Sequence, residues 1–119
     1  MGGRYMAEES KNQTKVLNDL RSFGKYCECF KIIKTSDNGE PDIFFTMALT
    51  GPVLVEMKRL AGGPEKLQSI KIQKLRECGA KVFVCHSWEE WVEIKRILRI
   101  TRPNVETAHN ARALLSQKI

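Results

Sequence analysis

Long apolar runs are missing from this sequence. Runs such as 53–55 and 82–85 fall far short of the ~20 residues that a membrane-spanning helix needs. The N-terminus, MGGRYMAEES, has no apolar core segment, which excludes a secretory signal of the usual form. No C-x-x-C pair occurs among the four cysteines. Cys27 and Cys29 form a C-x-C, Cys78 and Cys85 stand alone, and His86 and His109 lie outside zinc-ligand spacing. A structural zinc site is therefore not expected, and the cysteines read as free thiols of a reducing compartment. Internal repeats and low-complexity segments are absent as well, which argues against a solenoid or a disordered chain.

What remains is ordinary globular material. The chain has 119 residues, of which 42% are hydrophobic and 29% charged, enough for one domain that folds without a covalent or metal staple. The charge is uneven. Residues 1–57 carry 7 basic and 8 acidic side chains, residues 58–102 carry 11 and 5, and residues 103–119 carry 2 and 1. The whole surplus of +6 sits near one stretch, as in a surface that meets a polyanion. Solvated helix faces would give the same count.

Periodicity divides the chain into short elements. Val16, Leu17, Leu20 and Phe23 predict a helix over 7–23, with Gly24 as its stop. Alternation predicts strands over 26–34 and 42–47, separated by the turn cluster TSDNGE. The run VLVEM predicts a central strand over 53–57, paired with the second as an antiparallel hairpin. A glycine-rich loop leads to a helix over 65–78 with Leu67, Ile70, Ile72 and Leu75 as its apolar set and Gly79 as cap. KVFVC is a fourth strand, joined to the third by a β-α-β crossover and so parallel to it. Ser87 and Glu90 form a capping box for a helix that stops before Pro103, and a last helix is expected over 105–117. The fold class is α/β, a mixed four-stranded sheet flanked by helices.

One constellation carries chemistry. Asp42 opens the second strand, and Glu56 and Lys58 end the third on one face, with Met57 turned to the core. The hairpin brings two carboxylates and an ammonium to one rim. Charges after an apolar run are costly unless paired or binding something. A hard divalent cation relieves the carboxylate repulsion with oxygen ligands, polarises a phosphate and acidifies a bound water. The bland alternative is a structural carboxylate–lysine pair at a strand end.

Pro41-Asp42 followed by Glu56-Met57-Lys58 resembles the PD-(D/E)XK motif of restriction-endonuclease-like nucleases. Gly39-Glu40-Pro41-Asp42 is similar to the G-x-P-D box of the VRR-NUC family, the virus-type replication-repair nucleases. Gln68, eleven positions before Gly79, matches the glutamine on the helix before the family's last core strand, and Glu9 with Gln13 matches its E-x-x-x-Q on the first helix. The resemblance implies a restriction-endonuclease-like α/β/α core over 7–102, a flexible leader over 1–6 and a helical tail over 103–119. It implies Asp42, Glu56, the Met57 carbonyl and Glu9 as metal ligands, Lys58 as catalytic lysine, and Gln68 bracing Lys58 or the phosphate. Helix phase does not decide between Glu8 and Glu9; the glutamine spacing favours Glu9. Gln73, five residues from Gln68, is expected on a different, solvent-exposed face. Mg²⁺ is the implied ion, with Mn²⁺ as substitute.

The basic residues around this site, Arg59, Lys66, Lys71 and Lys74 with Arg76 and Lys81, are then expected on the phosphate backbone of DNA. His86 reads as structural or as a phosphate contact, and Trp88 and Trp91 as core before base-stacking residues. Arg96, Arg99 and Arg102 extend the cationic track or form a wet helix face. Stand-alone members of the family come from phages and bacteria and resemble Holliday-junction resolvases. The resemblance therefore implies a Mg²⁺-dependent endonuclease of the cytoplasm acting on branched double-stranded DNA. Paired cuts in a four-way junction imply a C2 homodimer, for which the tail with Leu114 and Leu115 is a candidate element, packing on its own core being the alternative. The competing readings are a flap or nicking nuclease and a non-catalytic DNA-binding module. A sequence-specific restriction enzyme is disfavoured because the short chain has few loops for reading bases.

Overall fold

The computed structural model describes residues 2–33, 40–58 and 66–116, with side chains from Lys11 onward. Its element order is α1 (Gly2–Arg21), β1 (Glu28–Lys31), β2 (Ile43–Met47), β3 (Gly51–Met57), α2 (Lys66–Glu77), β4 (Lys81–Cys85), α3 (Trp88–Ile97) and α4 (Arg102–Ser116). Helix α1 takes in, from Gly2, residues expected as a leader, and α4 begins three residues earlier than its periodicity suggests.

The strands form one sheet in the order β1-β2-β3-β4. β1 and β2 pair antiparallel, β2 and β3 form the expected hairpin, and β3 and β4 run parallel across the α2 crossover. β1 is shorter than the strand expected over 26–34. Gly24, at φ +59°, winds residues 24–26 into a 3-10 turn closed by the Cys27 N–H on the Gly24 carbonyl at 3.2 Å.

One face of the sheet is the core. Ile43, Phe45, Met47, Val53, Val55, Met57 and Cys85 are buried there against Val16, Leu17 and Leu20 of α1 and Trp91 and Ile94 of α3. Each such fully buried side chain contributes about 1.5–3 kcal/mol relative to exposure. Trp91 meets Phe45 edge-on, its ring centroid 5.9 Å away. Its indole N–H donates to Asp19 Oδ2 at 2.7 Å, and Lys95 closes on the same oxygen at 2.8 Å. This tie fastens α3 to α1 and satisfies the one polar atom that Trp91 buries. Trp88 also packs against the core, so both tryptophans follow the core reading.

The other face carries α2. Ile72 is buried and Leu75 half-buried, whereas Leu67 and Ile70, expected in the apolar set, are exposed. Helical phase puts Gln68, Ile72 and Leu75 on the face turned to the sheet and rotates Leu67 and Ile70 off it. Arg76 donates from Nε and Nη2 to the Val82 carbonyl at 3.1 and 2.7 Å. Since the Lys58 N–H bonds the Cys85 carbonyl, alternation turns the Val82 carbonyl the other way, to the open edge of β4. Arg76 thus caps a free edge acceptor.

The helix ends follow local chemistry. Ser87 Oγ accepts from the Glu90 N–H at 3.1 Å, but the Glu90 carboxylate reaches past Ser87 to the His86 N–H at 3.0 Å. α3 closes with Arg99 in the left-handed region at φ 59° and the Ile100 N–H on the Lys95 carbonyl at 2.8 Å, a Schellman-type end with arginine at the position that favours glycine. In α4 only Val105 is buried.

Candidate active site

The site grows from the hairpin. Ile43 pairs with Val55, so Asp42 stands where β2 begins and β3 runs on past it. The Asp42 N–H donates to the Val55 carbonyl at 3.0 Å, and Asp42 Oδ2 accepts the Met57 N–H at 2.7 Å. The aspartate is thereby locked against the Glu56–Met57 peptide region, and it can turn in no other direction without giving up that bond.

Glu56 lies on the opposite face from Val55 and Met57 and is only 1% exposed. Gln68 Nε2 donates to Glu56 Oε2 at 2.9 Å, and Lys58 Nζ approaches the same oxygen to 3.3 Å. Burying a glutamate so deeply is costly unless it has partners of this kind. The Lys58 backbone is itself fixed by its N–H on the Cys85 carbonyl at 2.9 Å. Asp42, Glu56, Met57, Lys58 and Gln68 therefore come together at one rim. Gln73 does not; it bonds Glu77 on the exposed side of α2.

Among the described residues the cluster sets two carboxylates beside one ammonium. Its donors are carboxylate oxygens beside a backbone carbonyl, a set suited to Mg²⁺ or Mn²⁺ and unsuited to soft metals. A carboxylate accepts about four bonds, so the Met57 bond on Asp42 is compatible with an ion on the same group. Among the described residues no group of three or more His, Cys, Asp and Glu forms. The Glu9 and Glu8 side chains and Arg59 lie outside the described residues, as do the Gly39 and Pro64 positions.

The basic residues separate into two sets. Lys66 and Lys74 are exposed and Lys71 half-buried along α2. Arg76 and Lys81, expected beside the site, are engaged elsewhere: Arg76 on the β4 edge, and Lys81 Nζ on the Thr50 carbonyl at 2.6 Å, at the far end of β3. Arg96 pairs with Glu93, and Arg102 docks α4 through the Ser22 carbonyl at 3.1 Å.

His86 follows β4 at the same rim, one residue beyond the Cys85 that pairs with Met57. Its Nδ1 lies 2.9 Å from Glu90 Oε1. Burial pushes the Glu90 carboxyl up, but the bonds from the His86 ring and backbone outweigh it and hold the group below the usual carboxylate range. A histidine near the site was legible in the sequence but its anchor was not, because the capping-box spacing assigns Glu90 to Ser87. Burial pushes the Cys27 thiol up to about 12 and the Cys85 thiol up to about 11, so both stay protonated. All four cysteines are free.

The family model of the VRR-NUC domain matches residues 5–89. The chain belongs to the VRR-NUC family. The match runs from within α1 to the first two residues of α3 and contains the whole rim described above. A VRR-NUC domain is a nuclease of the PD-(D/E)XK type, and DNA is its substrate class. The mixed sheet with helices on both faces is the restriction-endonuclease-like core of that class. No curated protein sequence is a significant match to the chain. None of the helices among the described residues is long and apolar enough to cross a membrane.

Proposed function

We propose that this VRR-NUC protein is a Mg²⁺-dependent, structure-selective DNA endonuclease of the cytoplasm, a homodimer that resolves four-way junctions. The observation that carries the hydrolytic reading is the buried Glu56 carboxylate, held between Gln68 and Lys58 beside Asp42. Asp42, Glu56 and the Met57 carbonyl would hold the ion, with Glu9 reaching in from α1. Bound there, Mg²⁺ would polarise the scissile phosphate and lower the pKa of an attacking water.

The protein's own groups supply the rest. Gln68 fixes one oxygen of Glu56 and so its orientation. The Met57 N–H does the same for Asp42. Lys58, with 17% of its side chain exposed, is open enough to meet a phosphate oxygen or orient the water, and it offsets negative charge developing in the transition state. Lys66, Lys71 and Lys74, with Arg59, would contact flanking phosphates, which positions DNA without reading its bases.

Two features support a dimer. Leu114 and Leu115 are 64% and 62% exposed on the last turns of α4. A single rim of this kind cuts one strand, whereas junction resolution takes two symmetric cuts. The test compares four-way junction, flap, single-stranded and linear duplex DNA with Mg²⁺, with EDTA, and with Lys58→Ala. Paired symmetric cuts confined to the junction, lost with EDTA and lowered by about 10²–10³-fold in Lys58→Ala, are expected. Cleavage of flaps alone would overturn the junction preference and leave the nuclease. Metal-independent binding without cleavage would overturn the catalytic reading.

A further inference from the structure

The sheet row next to the catalytic rim is aromatic and partly open. On the face that carries Asp42 and Glu56, the preceding row runs Phe30, Phe44, Leu54, Val82 across all four strands. Val82 is buried beneath α2, Phe44 and Leu54 are half-buried, and Phe30 is 52% exposed on the edge strand. The Phe30 and Phe44 rings stack, with centroids 4.9 Å apart and planes 25° from parallel. Phe44 covers one side of the Phe30 ring, and half of that residue's surface meets solvent.

α2 forms a wall along this row. Arg76 holds one flank of the helix over the outer edge of β4. The opposite flank, with Lys71 and Leu67, is the one nearer β3 and β2, while Lys74 and Ile70 point further outward. The stacked Phe30–Phe44 row and the Lys71 flank of α2 thus lie on the same sheet face as the Asp42–Glu56–Lys58 cluster, one row from it.

From this juxtaposition we infer that Phe30, backed by Phe44, is a stacking platform for an unpaired nucleobase beside the scissile phosphate; the inference rests on the nuclease reading of the rim. Residues two apart on a strand are about 6.8 Å apart. That is twice the 3.4 Å spacing of stacked bases along a strand. A nucleotide whose phosphate lies at Asp42 and Glu56 is thus within reach of the Phe44 row, and only a base freed from the duplex stack has an open face to lay on Phe30. Aromatic faces accept any base without sequence preference, and the α2 lysines suit the backbone that carries it. The platform would favour forks, flaps and junction crossovers over continuous duplex. The exposed apolar residues of this β1 edge, Phe30 and Ile33, are too few for the ~800 Å² per partner of a stable protein interface.

The test uses the full chain and a fork whose single unpaired nucleotide beside the cut is either 2-aminopurine or an abasic analogue. Binding is read without metal, by 2-aminopurine quenching, so it stands even if no cleavage is found. Phe30→Ala should abolish the quenching and weaken binding of the base-containing fork by about 5- to 150-fold, the range of one lost stack. Binding of the abasic fork should not change, and Phe30→Trp should restore the difference between the two. Equal losses on both forks, or no loss on either, would overturn the platform. So would a change in sedimentation of Phe30→Ala, which would make the patch a contact between copies. Absence of cleavage with quenching intact would count against the catalytic reading and not against the platform.

Discussion

At the scale of single residues, the burial of Glu56 is the costly feature. The pair with Lys58 and the bond from Gln68 compensate it in the absence of an ion. A bound cation would add to that compensation, so stability and metal content should be linked. Saturating Mn²⁺, at about 100 times its dissociation constant, is expected to add roughly 2.7 kcal/mol, a rise of about 10 °C for a domain of this size. Glu56→Gln should fold and lose that rise, and differential scanning fluorimetry with and without Mn²⁺ reads it; an unchanged rise would remove Glu56 from the ligand set. The His86–Glu90 pair makes a different prediction. The Glu90 carboxyl is held below its ordinary value in the folded protein, so its stabilisation is complete above the unfolded pKa of ~4.3 and fades as pH falls through the folded value. The melting temperatures of wild type and Glu90→Gln, which keeps a hydrogen-bonding group, should therefore converge below about pH 4. A constant gap would mean that the charge contributes nothing. Asp42, Glu56 and Lys58 were legible because strand alternation fixes their faces, whereas Gln68 was legible only through the family resemblance. The Glu90–His86 link was not, because a carboxylate one turn into a helix can reach either of two adjacent N–H groups.

At the scale of elements, the strands were easier to read than their ends. β4 matches its expected bounds because apolar residues fill it between two turns. β1 lost its first residues to a 3-10 turn that alternation does not reveal. α2 misled in another way. Its four apolar residues do not lie on one face, and only the sheet's position decides which pair is buried. Basic residues near a site in sequence need not serve it, since Arg76 of α2 and Lys81 of β4 are drawn off to carbonyls. The end of α3 yields a direct prediction. Arg99 holds a left-handed conformation that costs an L-residue about 1–2 kcal/mol. Glycine removes that cost but gains freedom in the unfolded chain, so Arg99→Gly should stabilise by a net ~0.5–1 kcal/mol. Urea denaturation checks it, and a lower midpoint for the variant would mean that the arginine side chain makes a compensating contact.

At the scale of the whole molecule, the architecture was legible from its order of elements, whereas the surfaces through which it meets other molecules were not. Exposure depends on how far each helix extends beyond the sheet, and no periodicity carries that information. The radius of gyration, 15.3 Å, exceeds the ~13.5 Å of a compact chain of this length, consistent with helices that reach past the core. If α4 joins two copies, Leu114→Glu with Leu115→Glu should convert a dimer to a monomer in sedimentation velocity. Melting should lose its dependence on protein concentration, because association no longer stabilises the fold, while the single copy keeps its core, neither side chain being buried in it. A monomer before and after would remove the tail as the dimer element. The hairpin of β2 and β3 has a last consequence, for the order of folding. Asp42 and Lys58 are close in the chain, so the rim closes through a short loop, and hairpins form in about 1–10 μs. The tie of Trp91 to Asp19 spans 72 residues and must wait for a much longer closure. A nascent chain would then hold its paired carboxylates in place before the helix that buries the opposite face has docked.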